Sequence, residues 1–493
     1  MTISKSRYMA GVQCLKRLYL LVHQPELGSG KTAAHFALMD QGRQVGKLAQ
    51  RLFPGGVEVR TGNQEEAVRI TQALIANPDI PAIFEGAFEH DGVFVRVDIL
   101  HRRRDRRWRL IEVKSSASMK DEHREDVAIQ YHIVSNFGLD VASCYLAHIN
   151  RNYVYQAGSI DPWRFFRIRN LTRTVKSLQT KLVFQLRSEF RVLAMSSAPD
   201  LPTGKHCTDP VTCEFFDHCN PPRPDDHIAY LPYLHANAVE ELEEMGVESI
   251  RDIPDDYPLG DRQRRAATCV QTGEPWFDGD GVKQELAKLE HPICFMDFET
   301  VNPAIPRHVG MHPFDHIPFQ WSVHVQRQPG VEPEHYEFLA RDASDPRCEF
   351  ISSLCTVLGD SGAIVVYSTF ESQRLSELAT WFPEFADRIN AIQNRLFDLL
   401  LVVRQHTYHP AYSGSYSIKS VLPALVSDMS YEGMEVADGV DAGLAWEMMI
   451  RTPDVVERER LKKALLDYCG QDTLALVKLL ETLRQVTTDV QRP

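Results

Sequence analysis

Apolar and polar positions alternate with a period of two over residues 94–100 (FVRVDIL) and again over residues 108–114 (WRLIEVK). Successive strand side chains point to opposite faces, so each segment predicts a half-buried strand. The short arginine-rich stretch between them predicts a β-hairpin. Asp98 falls late in the first strand, while Glu112 and Lys114, two apart, share a face towards the strand that carries Asp98. Residues 124–139 (REDVAIQYHIVSNFGL) change to helical spacing. Further on, ICFMDF (293–298), bounded by Pro292 and the Asn302-Pro303 turn, predicts a buried strand on which Asp297 and Glu299 again lie two apart. Residues 457–483 predict a long helix with Tyr468 and Asp472 at i and i+4 on one face.

These patterns divide the chain. The Pro-rich stretch NPPRPDDHIAYLP (220–232) ends a first domain over residues 1–222. Residues 223–290 predict a spacer of short helices between Gly- and Pro-marked turns, with a helix-hairpin-helix as its alternative reading. A second domain is expected over residues 291–493. The fold class is therefore α/β and multidomain, and the 493 residues leave room for two or three cores.

The net charge of −13 argues against a nucleic-acid partner until it is divided along the chain. Residues 1–222 carry 30 Lys and Arg against 23 Asp and Glu, and the remainder 24 against 44. The basic half contains the hairpin, whose Arg102, Arg103, Arg104, Arg106, Arg107 and Arg109 are expected to lie beside the acidic pair and meet phosphates. For the acidic half, a protein partner and a solvated surface are the alternatives. No apolar run approaches the roughly 18 residues of a membrane span, and the first residues have no signal-peptide core. A cytoplasmic protein with no membrane partner is expected, whose ten cysteines are thiols or metal ligands rather than disulfides.

Two carboxylates and an ammonium on one sheet face are costly unless a divalent cation and a phosphate neutralise them. The word D…ExK formed by Asp98, Glu112 and Lys114 resembles the PD-(D/E)XK nucleases. The resemblance implies a restriction-endonuclease-like core in which Asp98, Glu112 and the Val113 carbonyl bind Mg²⁺ or Mn²⁺, and Lys114 orients or deprotonates the attacking water. Gln130 falls where RecB-like members place a Gln-x-x-x-Tyr helix that orients the lysine. Val134 stands at the tyrosine position, and Tyr131 follows the glutamine directly. Glu85 is read either as an auxiliary acid or as a surface residue.

Cys207, Cys213 and Cys219 are spaced C-x5-C-x5-C, and Cys14 lies 193 residues upstream of the first. Zinc sites usually pair their ligands as C-x2–4-C, a spacing absent here. One distant cysteine plus three clustered ones resembles the [4Fe–4S] staple of RecB-like iron–sulfur nucleases, including the CRISPR-associated exonucleases. That implies a structural cluster held by four thiolates. The other cysteines read as core or surface residues.

D-x-E on a strand followed by Y-x-x-x-D on a late helix resembles the DnaQ-like, DEDD-type exonucleases of the RNase H-like fold. The resemblance makes Asp297, Glu299 and Asp472 metal ligands and Tyr468 the residue that positions water, around a two-metal centre. For the remaining acid, GAIVVYSTFESQRLSELA offers Glu371 where the family has aspartate and Ser368 where it has asparagine. Asp398 competes for that role. Residues 406–425 are read as a loop that grips a strand end near Lys419, with His409 as a packed loop residue. The whole order resembles a bacterial family of RecB-like proteins with a DnaQ-like C-terminal half. It implies a cytoplasmic Mg²⁺- or Mn²⁺-dependent exonuclease with two active sites, acting on single-stranded or duplex ends of DNA, with RNA as the alternative. The rival expectations are one live head beside a degenerate one that serves as a platform, and a non-catalytic iron–sulfur adaptor.

Overall fold

The computed structural model describes residues 2–426 and 429–489. The fold is mixed α/β and divides into two compact units. The first comprises residues 1–222 with 302–315, and the second residues 223–301 with 316–493.

In the first unit the strands are β1 (Ile3–Ser4), β2 (Val57–Glu58), β3 (Ala82–His90), β4 (Val93–Arg102), β5 (Trp108–Lys114), β6 (Val141–Ile149) and β7 (Phe166–Asn170). Six follow one another across the sheet in the order β2-β3-β4-β5-β6-β7, and β1 pairs with β4. β4 and β5 form the expected antiparallel hairpin. β5 and β6 are parallel, which demands a crossover, and the helix at Asp121–Asn136 supplies it. That helix starts three residues before the periodic stretch, because Asp121 and Glu122 form a favourable acidic first turn. With α1 (Lys5–Gln13), α2 (Leu15–His23) and α4 (Thr172–Leu193), it is called α3 below. Phe88, Val95, Leu110, Ile129, Ile133 and Leu146 build the main core. Residues 302–315 join this unit: Ala304 N–H donates to the Gln41 side chain, and Tyr155 exchanges backbone bonds with Gly310 and Met311.

One buried acid in this unit has no evident catalytic part. Glu189 on α4 is fully buried, and its Oε1 accepts from Gln185 at 2.9 Å while Oε2 has no hydrogen-bond partner. It lies against Gly11 of α1, where a Cβ would come within 2.5 Å of Oε1. Burial pushes its carboxyl up from 4.5 to about 8. Between those values the unfolded chain releases the proton and the folded chain keeps it, so stability falls as pH rises, by about 1.4 kcal/mol per pH unit. Below pH 4.5 both states are protonated and the effect vanishes. Glu189→Gln should therefore flatten the loss of stability between pH 5 and 8, as followed by urea denaturation; an unchanged slope would place the acid in water.

In the second unit β8 (Ile293–Val301), β9 (Ile317–Gln326), β10 (Glu334–Leu339), β11 (Ala363–Val366) and β12 (Leu396–Asp398) form one mixed sheet, ordered β10-β9-β8-β11-β12. β8, β9 and β10 pair antiparallel, whereas β11 runs parallel to β8 and β12. α5 (Phe370–Trp381) follows β11, and α6 (Ile418–Leu425), α7 (Gly439–Arg451) and α8 (Val455–Asp489) complete the frame. The segment expected as a spacer, 223–290, belongs to this unit. Its Ile228, Leu242, Ile250 and Val270 pack in one core with Ile293 and Phe295 of β8 and Leu476 and Leu480 of α8. Its two longer helices, Ala236–Glu244 and Asp261–Thr272, are separated by residues 245–260 and a 3-10 turn, so no tight hairpin joins them. Among the described residues no helix is long and apolar enough to cross a membrane.

Candidate active sites

In the first unit, pairing of Ile99 with Ile111 puts Asp98 level with Glu112. Asp98 Oδ2 accepts from Val113 N–H at 2.7 Å. Glu112 is almost wholly buried, and Lys114 donates to its Oε1 at 2.7 Å. From α3, Gln130 donates to Glu112 Oε2 at 2.7 Å and to Asp126 Oδ1 at 2.8 Å. The structure thus brings Asp98, Glu112, Lys114 and Gln130 together.

Two partners were missed. Asp126 lies one helical turn before Gln130 and shares its face, so i, i+4 spacing could have flagged it. It pairs with Lys114. Lys5, the first residue of α1, bonds to Glu112 Oε1 at 3.0 Å and lies 3.1 Å from Asp126 Oδ1. Nothing local announces Lys5. β1 runs parallel along β4, and that pairing carries the chain to the acids.

Burial, then Glu112, pushes the Asp98 carboxyl well up. Burial opposes the charge on Lys5 and Lys114, but Asp126 and Glu112 outweigh it and hold both ammoniums above their ordinary value. The same two lysines hold Asp126 well down against its burial. Glu85 stands across β3 from Asp98, between the pairs Phe84–Ile99 and Gly86–Val97. Its φ of 56° is left-handed, which costs a residue with a Cβ and marks strain beside the site. Burial raises its carboxyl.

The hairpin arginines are not beside this site. They occupy the turn at the far end of the hairpin, four residues or about 13 Å along β5 from Glu112. Arg102 lies over the Trp108 ring at 4.2 Å and caps backbone carbonyls, and Arg103 and Arg107 pair with Asp105. Arg109, three residues from Glu112, projects from the opposite face.

In the second unit, Asp297 and Glu299 on β8 and Asp472 on α8 converge, with one oxygen from each within 4.8 Å of the others. Glu371, in the first turn of α5, is buried with its Oε2 unpartnered, and its charge is felt at Asp297. Asp398 caps the helix at Leu399–His406, accepting from Leu400 N–H at 3.0 Å, and its charge helps to raise Glu371. His409 likewise closes a turn by accepting from Ala411 N–H. Burial, then Asp472, pushes Glu299 up to about 8. Burial pushes Glu371 up to about 7 and Asp472 to about 6. Such a set of crowded carboxyls, whose charge burial and mutual repulsion disfavour, is what a hard divalent cation would relieve.

Tyr468 is buried on the face of α8 that carries Asp472 and hydrogen-bonds it. Tyr431, a partner that no spacing flags, donates to Asp472 Oδ1 at 2.6 Å. Lys419 on α6 stands 5.7 and 5.6 Å over the Tyr431 and Tyr468 rings and opposes the rise in Glu299 and Asp472. Cys469 Sγ lies 3.7 Å from Asp297 Oδ2.

Cys14 sits at the junction of α1 and α2, and together with Cys207, Cys213 and Cys219 it lines one small cavity. Gly204 N–H donates to Cys207 Sγ at 3.5 Å and Phe215 N–H to Cys213 Sγ at 3.4 Å. Lys16 and Arg17 favour the thiolates of Cys219 and Cys213, although burial still raises both. Gln13 donates to the carbonyls of His206 and Val211, and Arg17 pairs with Glu214, so hydrogen bonds and an ion pair tie α1 and α2 to this loop.

Residues 294–417 match a domain family described as a domain of unknown function, DUF2779. The match includes Asp297, Glu299 and Glu371 and stops before Asp472. No curated protein matches the chain. A solved structure described as SSO0001 is 14% identical, with 40% of this chain and 87% of that chain covered at a TM-score of 0.20.

Proposed function

We propose that the protein is a metal-dependent nuclease that hydrolyses phosphodiester bonds of DNA from strand ends, with a restriction-endonuclease-like first unit and an RNase H-like second unit. The observation that carries this reading is the convergence of Asp297, Glu299 and Asp472, with Glu371 buried and half-unpartnered beside them. All-oxygen donors suit Mg²⁺ or Mn²⁺. When bound there, the cations would supply charge stabilisation for the attacking and leaving oxygens. The chain's own residues do the rest. Tyr431 and Tyr468 hold Asp472 in place, and Lys419 supplies positive charge over their rings.

In the first unit Glu112 is already compensated by two ammoniums and an amide, so a cation at Asp98, Glu112 and the Val113 carbonyl must displace Lys5 or Lys114 from it. Lys114 keeps its proton, which suits it to steadying a phosphate rather than deprotonating water. This favours, as a second reading, a first unit that binds the strand while the second cuts it.

The four thiols fit an iron–sulfur cluster by their donor set, the two N–H bonds to sulfur and the adjacent cations. Its part is to clamp α1, and with it Lys5, to the loop at 207–219.

Anaerobically purified protein should carry roughly four irons per chain. It should shorten end-labelled single- or double-stranded DNA in Mg²⁺ or Mn²⁺, and EDTA should stop it. Binding without any cleavage would leave an iron–sulfur adaptor, and neither binding nor cleavage would end the nucleic-acid reading.

A further inference from the structure

The first unit has a cavity of about 750 Å³ whose walls are basic. Arg124, His148, Arg151, Arg167 and Arg169 line it, and no residue lining it is acidic. It begins one strand from the lysine of the first site, because His148 on β6 is the register partner of Lys114 on β5, about 5 Å away. The loop after Lys114, at Ala117–Met119, forms another wall. Arg124 pairs with the exposed Asp121, and Arg167 donates to Asn150. Arg151 and Arg169 are exposed, and among the described residues neither has an ion pair.

Four guanidiniums and an imidazole around one cavity repel one another, and the fold supplies no counter-charge among the lining residues. Guanidinium matches phosphate with paired N–H donors and is weakly hydrated, so a polyanion is the ligand such a wall recognises. We infer that this cavity is the cradle for backbone phosphates of the nucleic-acid strand next to Lys114, and that it does what the hairpin-turn arginines were expected to do. This rests on the nucleic-acid reading above and adds the strand's path.

The test is binding of a fluorescent single-stranded DNA oligonucleotide to the full chain in EDTA, across a salt series. Each phosphate contact to a single strand contributes about 0.7 to the slope of log affinity against log salt. Arg151→Gln with Arg169→Gln should therefore lower the slope by about 1.4 and weaken binding about 25-fold near 0.1 M salt. Arg151→Lys with Arg169→Lys should keep most of the slope. Arg104→Gln with Arg106→Gln, which removes equal charge from the exposed turn, should change affinity less than about 3-fold.

Unchanged binding by the glutamine pair, or equal loss from the turn pair, would overturn the cradle. So would displacement of the DNA by a polyglutamate peptide at similar concentration, which would point to an acidic protein segment instead. If wild type cuts DNA while the glutamine pair binds normally, only this inference fails. If the salt slope falls as expected but wild type never cuts, the cradle stands and the nuclease reading fails.

Discussion

Asp297→Asn should abolish cleavage by the second unit, with a loss of roughly a thousandfold or more. Cation stabilisation of the reacting oxygens supplies several kcal/mol, and each 1.36 kcal/mol is a factor of ten. The same change should raise the melting temperature of the metal-free protein. Asp297 is pushed up by burial and by Asp472, Glu299 and Glu371, so removing its charge relieves a crowd that Lys419 offsets only in part. Titration calorimetry with Mn²⁺ should show the loss of metal binding directly. An acid with a merely structural role would give the opposite pattern, a lower melting temperature with metal binding intact. Metal uptake by the wild type should also strengthen as pH rises towards 8, because Glu299 and Asp472 must give up protons that they hold up to about 8 and about 6.

Lys114→Ala should remove whatever products the first unit makes, by about a hundredfold to a thousandfold, the usual effect of deleting one charged donor at a developing oxyanion. It should also destabilise the fold, because Glu112 and Asp126 are nearly buried and would keep Lys5 as their one ammonium, beside the Gln130 amide. Run beside Asp297→Asn on the same end-labelled DNA, the comparison separates the readings. Distinct sets of lost products mean two working centres. Loss of everything in Asp297→Asn, with Lys114→Ala only weakening DNA binding, means that the first unit is a platform. An effect of Lys114→Ala on melting temperature alone would make the lysine a structural counter-ion.

The local words of both centres were legible because strand and helix periods are short-range. A spacing of two puts Glu112 with Lys114, and Asp297 with Glu299, on one face whatever the rest of the chain does. A spacing of four does the same for Tyr468 and Asp472. The hairpin was equally legible, and its register follows from two alternating segments joined by a short turn. Glu371 is flagged by its place after a strand, and its charge reaches Asp297, while Asp398 caps a helix and its charge reaches Glu371.

What lay beyond the sequence depends on contacts between residues far apart in it. Lys5 reaches Glu112 across 107 positions because β1 pairs with β4, and Tyr431 reaches Asp472 across 41. No period links such pairs. The arginines show the same limit from the other side. Six of them in a row of eight positions drew attention to the turn, but a strand carries its turn away from its middle at about 3.3 Å per residue. Sheet pairing of β5 with β6 and of β6 with β7 instead gathered scattered arginines beside Lys114. Residues 223–290 read as a spacer because their helices are short. Their apolar faces become a core only against β8 and α8, which the chain supplies later. Short-range periodicity thus makes the candidate acids, and the local face that they share, readable from the chain alone. Which charges neutralise one another is set by the folded arrangement, because burial and Coulomb energy depend on distance in space and not along the chain.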